Sequence, residues 1–272
     1  MKITDLCTAQ SGVVSCRIAR VDCLTAIGRR EERTILQEGL LEVYINDVLS
    51  MKLVCTPSDL SALVLGHLFS EGRIAGVEDI RSIYVCAEGK RARVHTERPI
   101  AAVKKPIEVR ACDCGEDGVL GRNDLWHEAE ENVDVLPPFT WDYRWIHDLA
   151  LAFRAGAPLY EQTHGIHSCF LMLDGEIRYV CEDIGRHNAL DKAIGRALID
   201  GLDLSRCVLF SSGRIPDDMM EKVIRARVPL LASNAVPTDK AVELARRYHV
   251  TLICSARPDA MDIYSGTGLW VI

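Results

Sequence analysis

Between residues 166 and 255, short apolar runs alternate with amphipathic stretches about ten residues long, and this alternation limits the possible folds more than any other feature. The run 166–173 is nearly all apolar, as expected of a strand buried on both faces. Asp174-Gly175 then signals a two-residue hairpin, and 176–181 returns antiparallel. A helix over 188–200 turns Leu190, Ala193, Ile194, Ala197 and Leu198 inward, with Gly201 just past its end. Strand 206–211, helix 216–226 opened by Pro216, strand 229–233, helix 238–247 capped by Thr238 and strand 250–255 follow. An earlier helix over 141–155 buries Ile146, Leu149, Ala150 and Phe153. Strands joined through helices require crossover connections, so the expected product is an α/β fold: a mixed, mostly parallel sheet with helices on both faces.

The first half reads differently. Strand patterns over 13–25 and 40–56 contain an Asn46-Asp47 hairpin turn, and a helix follows with Ser58 as its cap. Its stripe is Leu60, Leu63, Val64, Leu65 and Leu68, with Gly72 ending it; His67 reads as a core or rim residue. A second strand pair covers 80–86 and 91–98. The acidic segment 121–140, ending in Pro137-Pro138, reads as a linker. The predicted division is a smaller α+β domain over 1–138 and a ligand-binding α/β domain over 139–272.

Function concentrates where strand hands over to helix. The stretch 182–192 places Asp183, Gly185, Arg186, His187, Asn188 and Lys192 between a strand pattern and a helix pattern, where ligands meet open α/β sheets. Arg186, His187 and Asn188 are expected to touch the ligand, and Asp183 to set the loop or orient His187. The loops leaving the other parallel strands are small and polar: Ser212-Gly213-Arg214, Pro237-Thr238 after 233–236, and Ser255-Ala256-Arg257. Small residues admit a ligand to the backbone, helix starts offer free N–H groups and Arg forks onto phosphate, so the ligand is expected to be anionic. Upstream, Thr163, His164, Gly165 and His167 should line the same edge as polar or proton-transfer groups rather than as metal ligands.

A separate signal lies at 110–118, where Gly and Asp surround Cys112 and Cys114 without periodic apolar spacing. Such a loop is expected to be mobile and exposed, which suits thiols that carry a group between two partners; an accidental pair, half of a zinc site and a redox pair are the competing readings. Most of the cysteines, such as Cys169, Cys181, Cys207 and Cys254, are expected to be small core residues. The odd total of eleven argues against a disulfide framework and for a reduced, cytoplasmic setting. A net charge of −7 excludes a general nucleic-acid binder, and no apolar run is long enough for a membrane span.

Together, Thr163-His164-Gly165-x-His167, the run Glu182-Asp183-Ile184-Gly185-Arg186-His187-Asn188, Ser212-Gly213-Arg214 with Met219 and Lys222, and Pro237-Thr238 resemble the FdhD family of formate dehydrogenase accessory sulfurtransferases. Phe69-Ser70-Glu71-Gly72-Arg73-Ile74 extends the resemblance into the first half, so it covers most of residues 40–265. It implies a cytidine-deaminase-like second domain without zinc. It also implies a sulfur carrier that takes persulfide from a cysteine desulfurase and passes it to a molybdenum bis-pterin guanine dinucleotide cofactor for formate dehydrogenase. The alternative is a non-catalytic chaperone for that cofactor or a guanine nucleotide. A nucleotide hydrolase using His167 or His187 with Asp183 or Asp191 is weaker still. The chain departs from the family pattern in places: Cys112-Asp113-Cys114 has one residue fewer between its thiols, His164 replaces a Gly, Pro216 and Asp218 replace a Ser and a Glu, and 233–238 matches only in part. Either thiol could carry the persulfide. The expected assembly is a cytoplasmic homodimer.

Overall fold

The structure, a computed structural model, describes residues 1–8, 11–98, 108–110, 133–266 and 270–271. The first half contains β1 (Lys2–Asp5), β2 (Val13–Val21), β3 (Gly28–Leu36), β4 (Gly39–Ile45), β5 (Val48–Cys55), α1 (Leu60–Ser70), β6 (Ile80–Val85), β7 (Arg91–Thr96) and β8 (Glu108–Arg110). Six of these strands form one sheet in the order β1-β6-β7-β4-β5-β8, while β2 and β3 pair only with each other among the described residues. Asn46 and Asp47 both take positive φ, 47° and 66°, which confirms the turn between β4 and β5. The α1 stripe seals the sheet: Leu60, Leu63, Leu65 and Leu68 are fully buried with Leu41, Val43 and Ile83.

The second half adds β9 (Trp141–Asp142), α2 (Tyr143–Ala155), α3 (Pro158–Thr163), β10 (His167–Leu173), β11 (Glu176–Asp183), α4 (Arg186–Ile199), β12 (Cys207–Ser211), α5 (Asp217–Arg225), β13 (Leu230–Ser233), α6 (Asp239–Arg247), β14 (Thr251–Cys254), β15 (Asp262–Ser265) and β16 (Trp270–Val271). Its six-stranded sheet runs β11-β10-β12-β13-β14-β15. Helices cover both faces as expected. Residues of α4, α5 and α6 pack with Leu209, Leu231 and Leu252 on one side, and α2 packs with Phe170, Phe210 and Ile253 on the other.

The expectation of a mostly parallel sheet is corrected. Only β12–β13 and β13–β14 pair in parallel; β10–β11, β10–β12 and β14–β15 are antiparallel. The cause is the hairpin at Asp174-Gly175, which places β10 between two strands running the other way. As a result β11, β12, β13 and β14 still share one direction, and their carboxyl ends share one edge.

Two glycines set how the halves meet. A Cβ at Gly66 of α1 would run into the carbonyl of Asp191, and one at Gly195 of α4 into the carbonyl of Ala62. The helices therefore cross backbone to backbone, an approach that only glycine allows at both points.

One further expectation changes. Ser58 does not cap α1; Asp59 stands at that position in a left-handed conformation, and the Ser58 hydroxyl lies 3.4 Å from Lys192 Nζ. At the described end of the acidic segment, Leu136 is buried in the core of the second half and its N–H bonds Tyr248 O at 3.0 Å. Most described thiols are core, as expected: Cys7, Cys55, Cys169, Cys181, Cys207 and Cys254 are buried, while Cys16 and Cys86 are half-buried and Cys23 is exposed. No helix among the described residues is long and apolar enough to cross a membrane.

Candidate functional site

The shared carboxyl edge brings the sequence-selected loops together. His167 opens β10 at this edge and lies opposite Asp183, the last residue of β11. The Ser212 hydroxyl, just past β12, accepts the Ser168 N–H at 2.9 Å and lies 3.1 Å from His167 Nδ1. The hydroxyl has a second lone pair as well as its proton, so it can serve either tautomer of the His167 ring. Burial lowers the His167 pKa, Arg186 lowers it further and Asp183 opposes both, so the neutral form is favoured.

Neighbouring loops are stitched by backbone and hydroxyl bonds. Ser233 Oγ donates to Gly213 O at 2.7 Å, Ile215 N–H bonds Val236 O at 3.1 Å and Thr238 N–H bonds Ile215 O at 2.9 Å, with a bridge between Ile215 and Pro237. Ser255 N–H reaches Ala235 O at 2.8 Å and Ala256 N–H reaches Ser233 O at 2.9 Å. Ser255 itself has φ 50°, an uncommon left-handed conformation for a residue with a side chain. The starts of α4, α5 and α6 all lie at this edge and turn their positive helix ends toward it. Arg214 and Arg257 are exposed beside them, and Arg186 is half-buried against Gly213.

Within the 182–192 stretch, several expected ligand contacts prove to be scaffold. Lys192 is fully buried, with Nζ 2.6 Å from Asp183 Oδ2 and donating to Thr56 O at 3.1 Å and Glu182 O at 3.0 Å. Asp183 also accepts from Thr56 N at 3.0 Å and Gly185 N at 2.9 Å. Asn188 spends its amide on Val54 O at 2.8 Å and Asp183 Oδ1 at 2.9 Å. These residues hold the loop against the end of β5, and burial keeps Lys192 and Asp183 from a ligand. Thr163 and Thr238 are similarly committed: Thr163 Oγ1 donates to Leu159 O at 2.7 Å, and Thr238 Oγ1 accepts from Ala241 N at 3.3 Å. Arg186, His187, His164, His167, Ser212, Arg214 and Arg257 keep solvent access at the edge.

Of the two roles expected of Asp183, its bonds fit setting the loop, and His187 instead meets a residue of α5, with Nε2 2.7 Å from Asp218 Oδ2. One turn further along both helices, Asp191 and Lys222 form a second rung at 2.9 Å. That rung is sealed and reaches α1, where His67 Nδ1 lies 3.0 Å from Asp191, the Ser70 hydroxyl donates to it at 2.7 Å, and Glu71 lies 2.8 Å from Lys222. The spacing of four that links 187 to 191 and 218 to 222 is visible in the sequence, and opposite charges at matched spacing are the signal that would have found the ladder. Asn234, whose Oδ1 is buried without a hydrogen-bond partner among the described residues, and Thr56 carried no such signal. Glu182 accepts the Leu159 and Tyr160 N–H groups at 2.9 and 2.8 Å and so anchors the start of α3. Cys112 and Cys114 lie outside the described residues. Among the described residues no three His, Cys, Asp or Glu side chains converge where a metal ion could be held.

Fold and edge define a class: an α/β protein with two six-stranded sheets, and with helix starts, arginines and histidines gathered at the carboxyl edge of the second. The FdhD/NarQ family model matches residues 36–269, and the chain belongs to that family. Similar curated proteins named sulfur carrier protein FdhD include one from Nocardia farcinica, 33% identical over 94% of this chain and 95% of its own. Another, from Listeria monocytogenes serotype 4b, is 31% identical over 86% of this chain and 90% of its own. A third, from Wolinella succinogenes, is 29% identical over 88% and 82%. Among solved structures, one described as a candidate formate dehydrogenase accessory protein from Desulfotalea psychrophila superposes with a TM-score of 0.75, covering 93% of this chain and 97% of its own at 24% identity. That last likeness speaks to the fold.

Proposed function

We propose that this chain is a sulfur carrier for the maturation of formate dehydrogenase. The observation that carries the reading is the family match across residues 36–269, with relatives of nearly equal length named as sulfur carriers. In the first step, a thiolate at Cys112 or Cys114 attacks the outer sulfur of a cysteine desulfurase persulfide. A new S–S bond forms on the carrier, the old one breaks and the desulfurase thiolate leaves. The acceptor is a molybdenum bis-pterin guanine dinucleotide, bound as substrate at the carboxyl edge.

The residues at that edge fit phosphate esters. Arg186, Arg214 and Arg257 supply charge, three helix starts supply N–H groups, and Ser212 and neutral His167 supply hydrogen bonds. The route between the two parts of the chemistry is short in the chain. Described backbone before Cys112 ends at Arg110, in register with Leu53, and the next residue, Val54, receives the Asn188 amide from the edge loop. The reading includes a cytoplasmic setting and a homodimer, the latter tested by sedimentation.

The decisive experiment incubates the protein with a cysteine desulfurase and cysteine, then maps persulfide by mass spectrometry. The expected result is an added sulfur on Cys112 or Cys114, absent from the double alanine variant. Full formate dehydrogenase activity in cells that carry only Cys112→Ala/Cys114→Ala would refute the reading.

A further inference from the structure

We infer that Tyr160 and His164 form a stacking corner for the flat heteroaromatic ring of the phosphate-bearing ligand. This rests on the reading of the carboxyl edge as a nucleotide-type site, and it assigns the ring end of that ligand. The two rings lie one helical turn apart, at the end of α3, with centroids 5.4 Å apart and planes at 86°. Tyr160 is 39% exposed, and His164 is exposed beside it. An edge-to-face pair open to solvent presents a free aromatic face next to a perpendicular ring, which is the geometry a planar purine or pterin can lie against.

The corner is built into the edge rather than hung on a loose turn. Glu182, the residue before Asp183, accepts the backbone N–H groups of Leu159 and Tyr160 and so fixes the start of α3. Three residues beyond His164, His167 meets Ser212 of the β12 loop. Phosphates bound near Ser212 and Arg186 would therefore have the ring corner at the neighbouring end of the same edge.

His164 also occupies a costly backbone position. It ends α3 at φ 50° and ψ 22°, with its N–H on Tyr160 O at 2.7 Å. Helices that close in this left-handed conformation usually do so with glycine, because a Cβ is strained there. Keeping a solvent-exposed imidazole at such a position is explained if the ring is used.

The test measures GDP and inorganic pyrophosphate binding by calorimetry on the full chain and three variants. Wild type should bind GDP more tightly than pyrophosphate. His164→Gly should raise the thermal midpoint yet weaken GDP about fivefold, and Tyr160→Leu about tenfold, both leaving pyrophosphate unchanged. Tyr160→Phe should bind GDP as wild type does. If His164→Gly and Tyr160→Leu bind GDP as wild type does while pyrophosphate binding persists, the corner is refuted and the anion edge stands. If wild type binds neither probe, the nucleotide reading of the edge fails and takes the corner with it. His164→Gly removes strain rather than adding it, so the test survives even if Tyr160→Leu does not fold.

Discussion

Lys192 Nζ lies 2.6 Å from Asp183 Oδ2, and neither side chain has any exposed surface. The pair joins the body of α4 to the end of β11, and through Thr56 both residues hold the end of β5. An ion pair so enclosed costs much to form and more to break on one side only. Lys192→Met should therefore lower the free energy of urea unfolding by about 3–5 kcal/mol, because Asp183 is left as an uncompensated buried charge. Lys192→Met/Asp183→Asn should recover part of that loss. A single-variant loss below ~1 kcal/mol would show that the pair does not hold the loop.

The helix crossing gives a second prediction. Gly66→Ala and Gly195→Ala each force a methyl group into facing backbone, which cannot yield as a side-chain tip can. Each should destabilise by about 1–3 kcal/mol or more, the range for overpacked sites. Thermal denaturation checks this, with Gly201→Ala as a contrast: that position has φ 66° but nothing near its Cβ, so it reports backbone strain alone.

Stability should also fall with acid earlier than carboxylate protonation alone would cause. Burial lowers the His67 pKa, Lys222 lowers it further, and the bond to Asp191 only partly offsets them. The unfolded chain thus takes up the proton first, so the contribution is intact above the ordinary imidazole value of about 6.5 and is lost as pH falls from there toward the folded value. His167, lowered mainly by burial, adds the same sign. Asp191 is also lowered, by Lys222 and His67 against an opposing burial cost, and its contribution is lost only as pH falls below the ordinary carboxylate range. Urea midpoints at a series of pH values should decline between pH 7 and 5.5, with each such histidine able to contribute a slope of up to ~1.4 kcal/mol per pH unit. His67→Gln should flatten that decline, and an unchanged slope would remove His67 from the account.

At the edge itself, Gly213→Ala tests the placement of Arg186. A Cβ there would sit 2.9 Å from Arg186 Cδ and 3.0 Å from its Cβ, so Arg186 must re-aim. GDP affinity should fall several-fold, with a stability loss of about 1–3 kcal/mol because the Arg186 Cβ is fixed to the α4 backbone and only the side chain beyond it can re-aim. Calorimetry alongside denaturation distinguishes this from a general loss of fold.

Much of the second half was legible in the amino-acid sequence, because its strands and helices have different apolar periods and its turns carry glycine or proline. Asp174-Gly175, the alternation after residue 206 and the small polar loops at 212–214, 237–238 and 255–257 all name their own local structure. Since co-directional strands end at a common edge, local readings alone brought those loops together. β3 and α3 were less legible: β3 is rich in charge and largely exposed, and α3 spans only six residues.

What only the tertiary structure decided is which polar residue faces outward and which is spent on the fold. Asp183, Asn188 and Lys192 stand in the same polar run as Arg186 and His187, and nothing local separates them. The separation comes from β5, whose end supplies Val54 O, Thr56 N and Thr56 O, and it lies more than a hundred residues away in the chain. Likewise His187 found Asp218 rather than the nearby Asp183, because α4 and α5 pack side by side with matching turns. Side-chain chemistry was written in the sequence; its division into ligand edge and buried scaffold depended on distant backbone arriving to satisfy one set of polar groups and leave the other open.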